Sequence, residues 1–193
     1  IQVPEDLASE LESLKARVDS VSVSGGLLEK PVAVKFKQLV DQSVLLAKRY
    51  DNVVANPPYM GSKGMNAELK KFAKDHYKDA KSDLFACFIE RGFTLARDEG
   101  HNAMVTMQSW MFLSSYEKLR ERWLETKSMR TMVHMTNGVM GIAFGTAAAV
   151  WKNTILPGCC AEFSYCRYED LTEGNIPFEF PVRNERLKTV AQD

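Results

Sequence analysis

Long apolar runs are missing from this chain of 193 residues, and with them the roughly 18 to 20 consecutive apolar residues that a bilayer span requires. The opening Ile1-Gln2-Val3-Pro4 has neither the basic nor the apolar region of a secretory signal. A cytoplasmic protein without membrane contact is therefore expected. Cysteine is sparse: Cys87, Cys159, Cys160 and Cys166 show neither paired metal-ligand spacing nor the density of a disulfide scaffold, and they are read as reduced. His76, His101 and His134 are scattered without Cys, Asp or Glu at ligand spacing, so no metal site is expected. Ser109 and Ser114 lie in no nucleophile elbow, which leaves hydrolase chemistry unsupported. Charge of one sign is not in excess either, because 25 basic and 25 acidic residues cancel. A module gripping DNA through phosphates alone would be strongly basic, so composition does not point to nucleic acid. Lys63, Lys70, Lys71, Lys74, Lys78 and Lys81 do cluster, but Glu68, Asp75 and Asp79 dilute them. They read as a solvated helix face, with phosphate contact as the alternative. There is no internal repeat or low-complexity tract, and the start at Ile1 suggests a piece of a longer chain.

What is present is ordinary for a globular domain: 45% hydrophobic and 26% charged residues, enough for one core with appendages. Leu7, Leu11, Leu14, Val18 and Val21 recur at helical spacing, with Pro4 or Asp6 to open the helix. A loop at Ser20 to Gly26 separates it from a second helix, with Pro31 in the first turn and Phe36, Leu39, Val40, Val44 and Ala47 on one face. Tyr50 to Ala55 is a short β-type run halted by two prolines, which cannot extend a ladder. Asn66 can cap a helix with the stripe Leu69, Phe72, Ala73, Tyr77 and Ala80. Asp83 can cap another from Leu84 to about Arg97, apolar nearly all round and so expected deep against a sheet. Asp98-Glu99-Gly100 should end it, with a strand at Ala103 to Met107 completing a βαβ crossover. Ser114 with Glu117 has the capping-box pattern, opening a helix that buries Tyr116, Leu119, Trp123 and Leu124. Strands are expected at about Thr131 to Met135 and Thr146 to Trp151. The loop between them is too short for a crossover helix, so they should pair as an antiparallel hairpin.

Asn56-Pro57-Pro58-Tyr59 stands at the carboxyl end of the first strand, where open α/β sheets bind their ligands. An exocyclic amine on adenine is a poor nucleophile because its lone pair is delocalised into the ring. Asn56 can accept one of its N–H groups through the side-chain oxygen. The carbonyl of Pro57, held between stiff prolines, can accept the other, and both oxygens stabilise positive charge developing on the nitrogen. Tyr59 offers a face for stacking a base, which must leave the duplex to be reached at all. A strand ending in a proline turn with a merely packed Tyr is the plain alternative. Chance would produce this tetrapeptide in on the order of one chain of this length in a thousand, which favours the chemical reading.

The tetrapeptide resembles the fourth motif of the DNA amino-methyltransferases, specifically the adenine-N6 class. Ser82 to Glu90 resembles that family's fifth motif, and Ala143-Phe144-Gly145-Thr146 its eighth. Arg49 to Gly61 is most similar to the large methyltransferases of BREX phage-exclusion systems, with fused restriction-methylase enzymes as close relatives. The resemblance covers about residues 33 to 158. It implies methyl transfer from S-adenosyl-L-methionine to the N6 amino group of a flipped adenine in double-stranded DNA, in phage defence or restriction-modification. It also implies catalytic roles for Asn56, Pro57, Pro58 and Tyr59, contacts to the base from Tyr59 and Phe144, and cofactor contacts at Asn56, Asp83 and Phe85.

The family's Gly-rich first motif has no counterpart, since Gly25-Gly26 follows Ser-Val-Ser and lies too close to the tetrapeptide. The expected fold is thus α/β: the C-terminal half of a Rossmann-like methyltransferase sheet, parallel strands ending in an antiparallel hairpin, behind N-terminal helices. Residues 1–48 are read as a helical lead-in, 49–158 as the catalytic half, and 159–193 as an extension or linker, with the remainder of a parent chain as partner. A protein-glutamine or RNA methyltransferase could use a similar turn, and a non-catalytic nucleic-acid-binding fragment could retain it.

Overall fold

The computed structural model describes residues 7–192. The chain divides into two compact units, Ile1–Arg49 and Tyr50–Asp193. The expected helix start at Pro4 or Asp6 lies outside the described residues. Among those described, no helix is long and apolar enough to cross a membrane.

The first unit is a helical hairpin of α1 (Leu7–Ser24) and α2 (Glu29–Ala47). Gly25 makes the turn possible: its N–H bonds to the Val21 carbonyl at 2.9 Å, and a Cβ there would stand 2.5 Å from that same oxygen. Pro31 lies in the first turn of α2, where its missing N–H is not needed. Lys15 and Lys37 interleave with Asp19 and Asp41 across the two helices. Val40 and Val44 are buried as their spacing predicts, whereas Phe36 and Leu39 are 55% and 59% exposed. Two helices share only a narrow seam, and the sequence stripe is wider than that seam.

The second unit is a six-stranded mixed sheet in the order β1-β2-β4-β3-β5-β6. Its strands are β1 (Tyr50–Ala55), β2 (Ala96–Met107), β3 (Ser128–Met135), β4 (Thr146–Lys152), β5 (Cys159–Cys166) and β6 (Lys188–Gln192). β1 and β2 run parallel, joined through α3 (Ala67–His76) and α4 (Leu84–Leu95). β3 and β4 form the expected antiparallel hairpin, and β4 also pairs antiparallel with β2, so it sits between them. Pairing of β1 with β2 skips from Tyr50↔Ala96 to Asn52↔His101. Asp98-Glu99-Gly100, expected as a helix stop, therefore forms a bulge with Glu99 at φ 61°. Residues 159–193, expected as an extension or linker, supply β5, parallel to β3, and β6, antiparallel to β5. The run Cys159 to Cys166 holds Ser, Glu and three cysteines, a composition with little β signal.

Asn66 caps α3 by accepting the Leu69 N–H at 2.8 Å, and Asp83 caps α4 by accepting that of Phe85 at 3.2 Å. The capping box at Ser114 and Glu117 is not made. Ser114 opens a 3-10 turn instead, and α5 (Glu117–Thr126) starts without a side-chain cap. Tyr116, Leu119 and Trp123 are buried, but Leu124 is 60% exposed, and Phe88 on α4 is 40% exposed. The core is aromatic. Trp123 lies 5.7 Å from Trp110, 5.8 Å from Trp151 and 5.8 Å from Phe93, in edge-on contacts. Such pairs contribute about 0.5–1.5 kcal/mol each beyond their burial. Two of the indole nitrogens have acceptors: Trp110 donates to Thr106 Oγ1 at 3.0 Å and Trp123 to Glu90. All four cysteines are free.

Gly92 marks where α4 touches β2. A Cβ at that position would lie 2.4 Å from Asn102 Oδ1 and 2.6 Å from Met104 Cε. Asn102 cannot retreat easily, because it is 1% exposed and its Nδ2 donates to the Ile89 carbonyl at 3.0 Å. A glycine-to-alanine change inside a helix ordinarily gains about 0.5–1 kcal/mol. Here the clash outweighs it, and Gly92→Ala is expected to lose about 1–3 kcal/mol, measured by urea unfolding. Unchanged or increased stability would show that α4 can shift off β2.

Candidate active site

β1 ends where its ladder must end, since Pro57 and Pro58 offer no N–H. Ala55 is the last paired residue, opposite Met104, and Asn56 emerges exposed at the carboxyl end of the parallel pair. Pro57 is buried and Pro58 exposed, so the turn is anchored on one side only. Tyr59 folds back over the strand end. Its hydroxyl lies 3.0 Å from Asn56 Oδ1 and 3.1 Å from the Val105 carbonyl, two acceptors for one proton. Burial pushes the Tyr59 phenol above its ordinary range, which keeps it a donor at neutral pH.

Two aromatic rings fix Tyr59. Phe85, at the start of α4, meets it nearly perpendicular at 6.3 Å, and Phe144, ahead of β4, meets it at 5.6 Å and 67°. The structure thus brings Tyr59 and Phe144 together across 85 residues of sequence. Phe144 is 37% exposed and Phe85 not at all. Phe85, expected at the cofactor, lies wholly under the surface as the support of Tyr59.

Asp83, also expected at the cofactor, is 9% exposed, and its Oδ1 accepts from the backbone N–H groups of both Met60, at 2.9 Å, and Phe85. One carboxylate oxygen thereby ties the exit of the tetrapeptide to the start of α4. Leu84 N donates to the Met60 carbonyl at 3.0 Å, and Ser62 N to that of Ser82 at 2.9 Å, closing the base of the α3 insert. The insert's lysines are exposed, and Lys71 pairs with Asp75 at 2.5 Å.

Three residues beside this site carry no motif. Gln108, the first residue after β2, donates its backbone N–H to the Gly145 carbonyl at 3.1 Å. Its side-chain oxygen faces His134 Nε2 at 2.6 Å, and the His134 ring stacks on Tyr165 at 4.8 Å. Burial holds the His134 imidazole below its usual range, and the tautomer with its proton on Nε2 is the one that can donate to the facing Gln108 oxygen. The position of Gln108 at a strand end was the available sequence signal.

Residues 12–140 match the model of the Eco57I restriction-modification methylase family. The chain belongs to that family. It is 46% identical over 157 residues to the adenine-specific methyltransferase BrxX of Escherichia coli O9:H4 (strain HS), covering 79% of this chain and 13% of that protein. It is also 46% identical over 88 residues to the adenine-specific methyltransferase PglX of Lacticaseibacillus casei (strain Zhang), covering 46% of this chain and 7% of that protein. The chain thus spans a small part of the length of these curated relatives. Among solved structures it is similar to a Listeria monocytogenes protein assigned to the class I S-adenosylmethionine-dependent methyltransferases, with a TM-score of 0.50 and 11% identity over 61% of this chain and 37% of that one. The type ISP restriction-modification enzyme LlaGI, solved with a DNA substrate mimic, gives a TM-score of 0.52 and 15% identity over 83% and 18%. The α/β methyltransferase fold expected from the sequence is therefore the fold observed.

Asp83 as a clamp gives a direct test. Asp83→Ala leaves the Met60 and Phe85 amides without their acceptor, and loss of such a cap removes about 0.5–2 kcal/mol. Hydrogen exchange at Met60 should accelerate at least about tenfold, while exchange at Leu69, capped by Asn66, stays as before. Unchanged exchange at Met60 would remove the clamp.

Proposed function

We propose that the chain supplies the catalytic half of a cytoplasmic methyltransferase that moves a methyl group from S-adenosyl-L-methionine to the N6 amino group of a flipped adenine in double-stranded DNA, in phage defence or restriction-modification. The observation that carries this is the exposed Asn56 oxygen at the carboxyl end of β1, with Tyr59 and Phe144 beside it. Two acceptors converge there in the proposed reaction. Asn56 Oδ1 takes one amino proton in a hydrogen bond and the Pro57 carbonyl takes the other. This localises the nitrogen lone pair toward the methyl donor and stabilises the positive charge that develops as the bond forms. The arriving N–H replaces the Tyr59 hydroxyl at Asn56, and the hydroxyl keeps Val105 as acceptor. Tyr59 provides a face and Phe144 a second aromatic contact for a base taken out of the stack. The adenine amine in this reading follows from the adenine-specific names of the 46%-identical relatives.

The residues of this chain fit one side of the cofactor. Asn56 is exposed at the strand end, while Asp83 and Phe85 act behind it by holding the turn and Tyr59. When bound, S-adenosyl-L-methionine supplies the electrophilic methyl group. The chain's own contribution is to hold the amine by accepting hydrogen bonds from its two N–H groups.

Asn56→Ala in the full-length enzyme should lower single-turnover methylation of DNA by at least about a hundredfold with DNA affinity nearly unchanged, because the lost bonds act on the transition state. The same assay with RNA and with protein as acceptor should give no transfer. Near-parental turnover in the variant would end the catalytic assignment.

β1 is the edge of the sheet, and Val54 on it is 76% exposed. A cofactor lying across the switch point of a doubly wound sheet needs strands on both sides of that edge. Residues 1–193 alone should therefore bind S-adenosyl-L-methionine weakly in a calorimetric titration. A micromolar dissociation constant, about -8 kcal/mol, would place the cofactor site elsewhere.

A further inference from the structure

The aromatic pair at the site is closed. Tyr59 and Phe144 are 5.6 Å apart at 67°, whereas a planar base held between two rings needs about 7 Å between them, twice the usual carbon–carbon contact. Phe144 must therefore shift relative to Tyr59 for a base to enter. Tyr59 is the less free of the two, since it is held by Phe85 and by hydrogen bonds to Asn56 and Val105. What surrounds Phe144 is uneven. Upstream, the connection from β3 turns through Gly138 at φ 86°, Met140 at 54° and Gly141 at 73°, and nothing lies within 4 Å of where a Gly141 side chain would begin. Downstream, the neighbouring Gly145 is held tightly. Its carbonyl accepts the Gln108 N–H, and the Gln108 carboxamide occupies the space a Gly145 side chain would need, with Oε1 at 2.3 Å and Nε2 at 2.6 Å from that Cβ position.

We infer that Gln108 is a positioning residue for the base site: with its carboxamide packed on Gly145 and held by His134, it fixes the pivot about which Phe144 opens from Tyr59. This rests on the reading of Tyr59 and Phe144 as the base-binding pair. Gly145 is the residue that permits the arrangement, because any side chain there would displace the carboxamide. His134 gives Gln108 its orientation through the 2.6 Å bond, and the stack on Tyr165 gives His134 its own. Both supports come from strands seated side by side, β3 and β5, paired in register at His134↔Tyr165. The pivot is thus referred to the sheet rather than to the loop that moves.

The test uses the full-length enzyme and a duplex carrying its methylation site, with 2-aminopurine in place of the target adenine for the fluorescence measurement. Gln108→Ala should slow single-turnover methylation at least about tenfold and change the flipped-base fluorescence, with DNA affinity within about twofold. His134→Ala should do the same more weakly, and His134→Gln, which can again donate to the carboxamide, should recover most of the rate. The double variant Gln108→Ala/His134→Ala should be no slower than Gln108→Ala, because the two act in one chain. Parental rate and fluorescence in Gln108→Ala overturn the inference, as does additive loss in the double variant. If Gln108→Ala fails to fold, His134→Ala and His134→Gln decide, and equal rates for those two overturn it. Asn56→Ala separates the levels: slow Asn56→Ala with parental Gln108→Ala removes only the positioning role, and parental Asn56→Ala removes the functional reading beneath it.

Discussion

Everything at this site depends on where β4 is seated. A strand that follows β3 by a short loop could pair with β3 alone and leave the sheet's order sequential. Instead β4 enters between β2 and β3, antiparallel to both, so that Met107, Thr146 and Met135 lie abreast at one end. That seat carries the residues just ahead of β4 to the carboxyl ends of β1 and β2. Phe144 reaches Tyr59 for this reason, and Gly145 reaches Gln108. Both neighbours of β4 must offer a full ladder to make the insertion favourable, since an unpaired buried backbone group forfeits its hydrogen bond without water to replace it. The seven-residue run of β4, mostly small and apolar, suits a strand enclosed on both edges.

Beneath the strand ends the molecule is rigid in a particular way. Trp110, Trp123, Trp151 and Phe93 interlock α4, α5, β4 and the turn that follows β2, and the indole nitrogens of Trp110 and Trp123 have their acceptors. The tetrapeptide is buried on one side only, at Pro57, and is held by Asp83 and by Phe85 under Tyr59. The division is physically sensible. A turn that is to accept a large planar ligand, as proposed for this one, cannot be filled by packing alone, so its geometry is set in part by directional bonds to a neighbour that is itself packed. Asp83 serves that neighbour and the turn through the same oxygen.

The legibility of this chain follows the range of the forces involved. β1, α3, α4 and the β3–β4 hairpin could be read because their signals are local: short β-type runs, helical apolar stripes, Asn66 and Asp83 at caps, two prolines in succession and a short loop. The tetrapeptide could be singled out because the groups that carry its proposed chemistry are compressed into four neighbours. Ser114 misled because Ser and Glu at capping-box spacing also suit the 3-10 turn formed there, and Arg120 binds the carbonyls of Trp110 and Leu113 that shape it. Leu124, Phe36 and Leu39 misled because periodicity gives a face without saying how much of it a neighbour covers. β5 and β6 escaped for a different reason. Their ladders close only against β3 and against each other, and residues such as Cys159, Glu162 and Ser164 announce no strand until that partner exists. Asp83 and Phe85 illustrate a finer limit: their sequence neighbourhood marked them, but only the fold shows that Asp83 ties the turn to α4 and that Phe85 lies beneath Tyr59.

The Tyr59 hydroxyl shows how such a site can be ready without being filled. A carboxamide at an exposed strand end would ordinarily rotate among water partners, and a freely rotating Asn56 would have to be ordered at the moment of reaction. The hydroxyl at 3.0 Å orders it beforehand. The Val105 carbonyl, at 3.1 Å from the same hydroxyl, makes that order reversible. With two acceptors at nearly equal distance, the proton can pass from one bond to the other while the ring keeps its place on Phe85. In the proposed reaction the incoming amine then finds an oxygen already aimed, and the group it displaces is left hydrogen-bonded rather than stranded, which avoids the penalty of an unpaired buried donor. The ring proposed to stack the base and the oxygen proposed to hold it are therefore set by one side chain, which is a physical reason for the tyrosine to stand three residues after the asparagine, across a turn too stiff to let them drift apart.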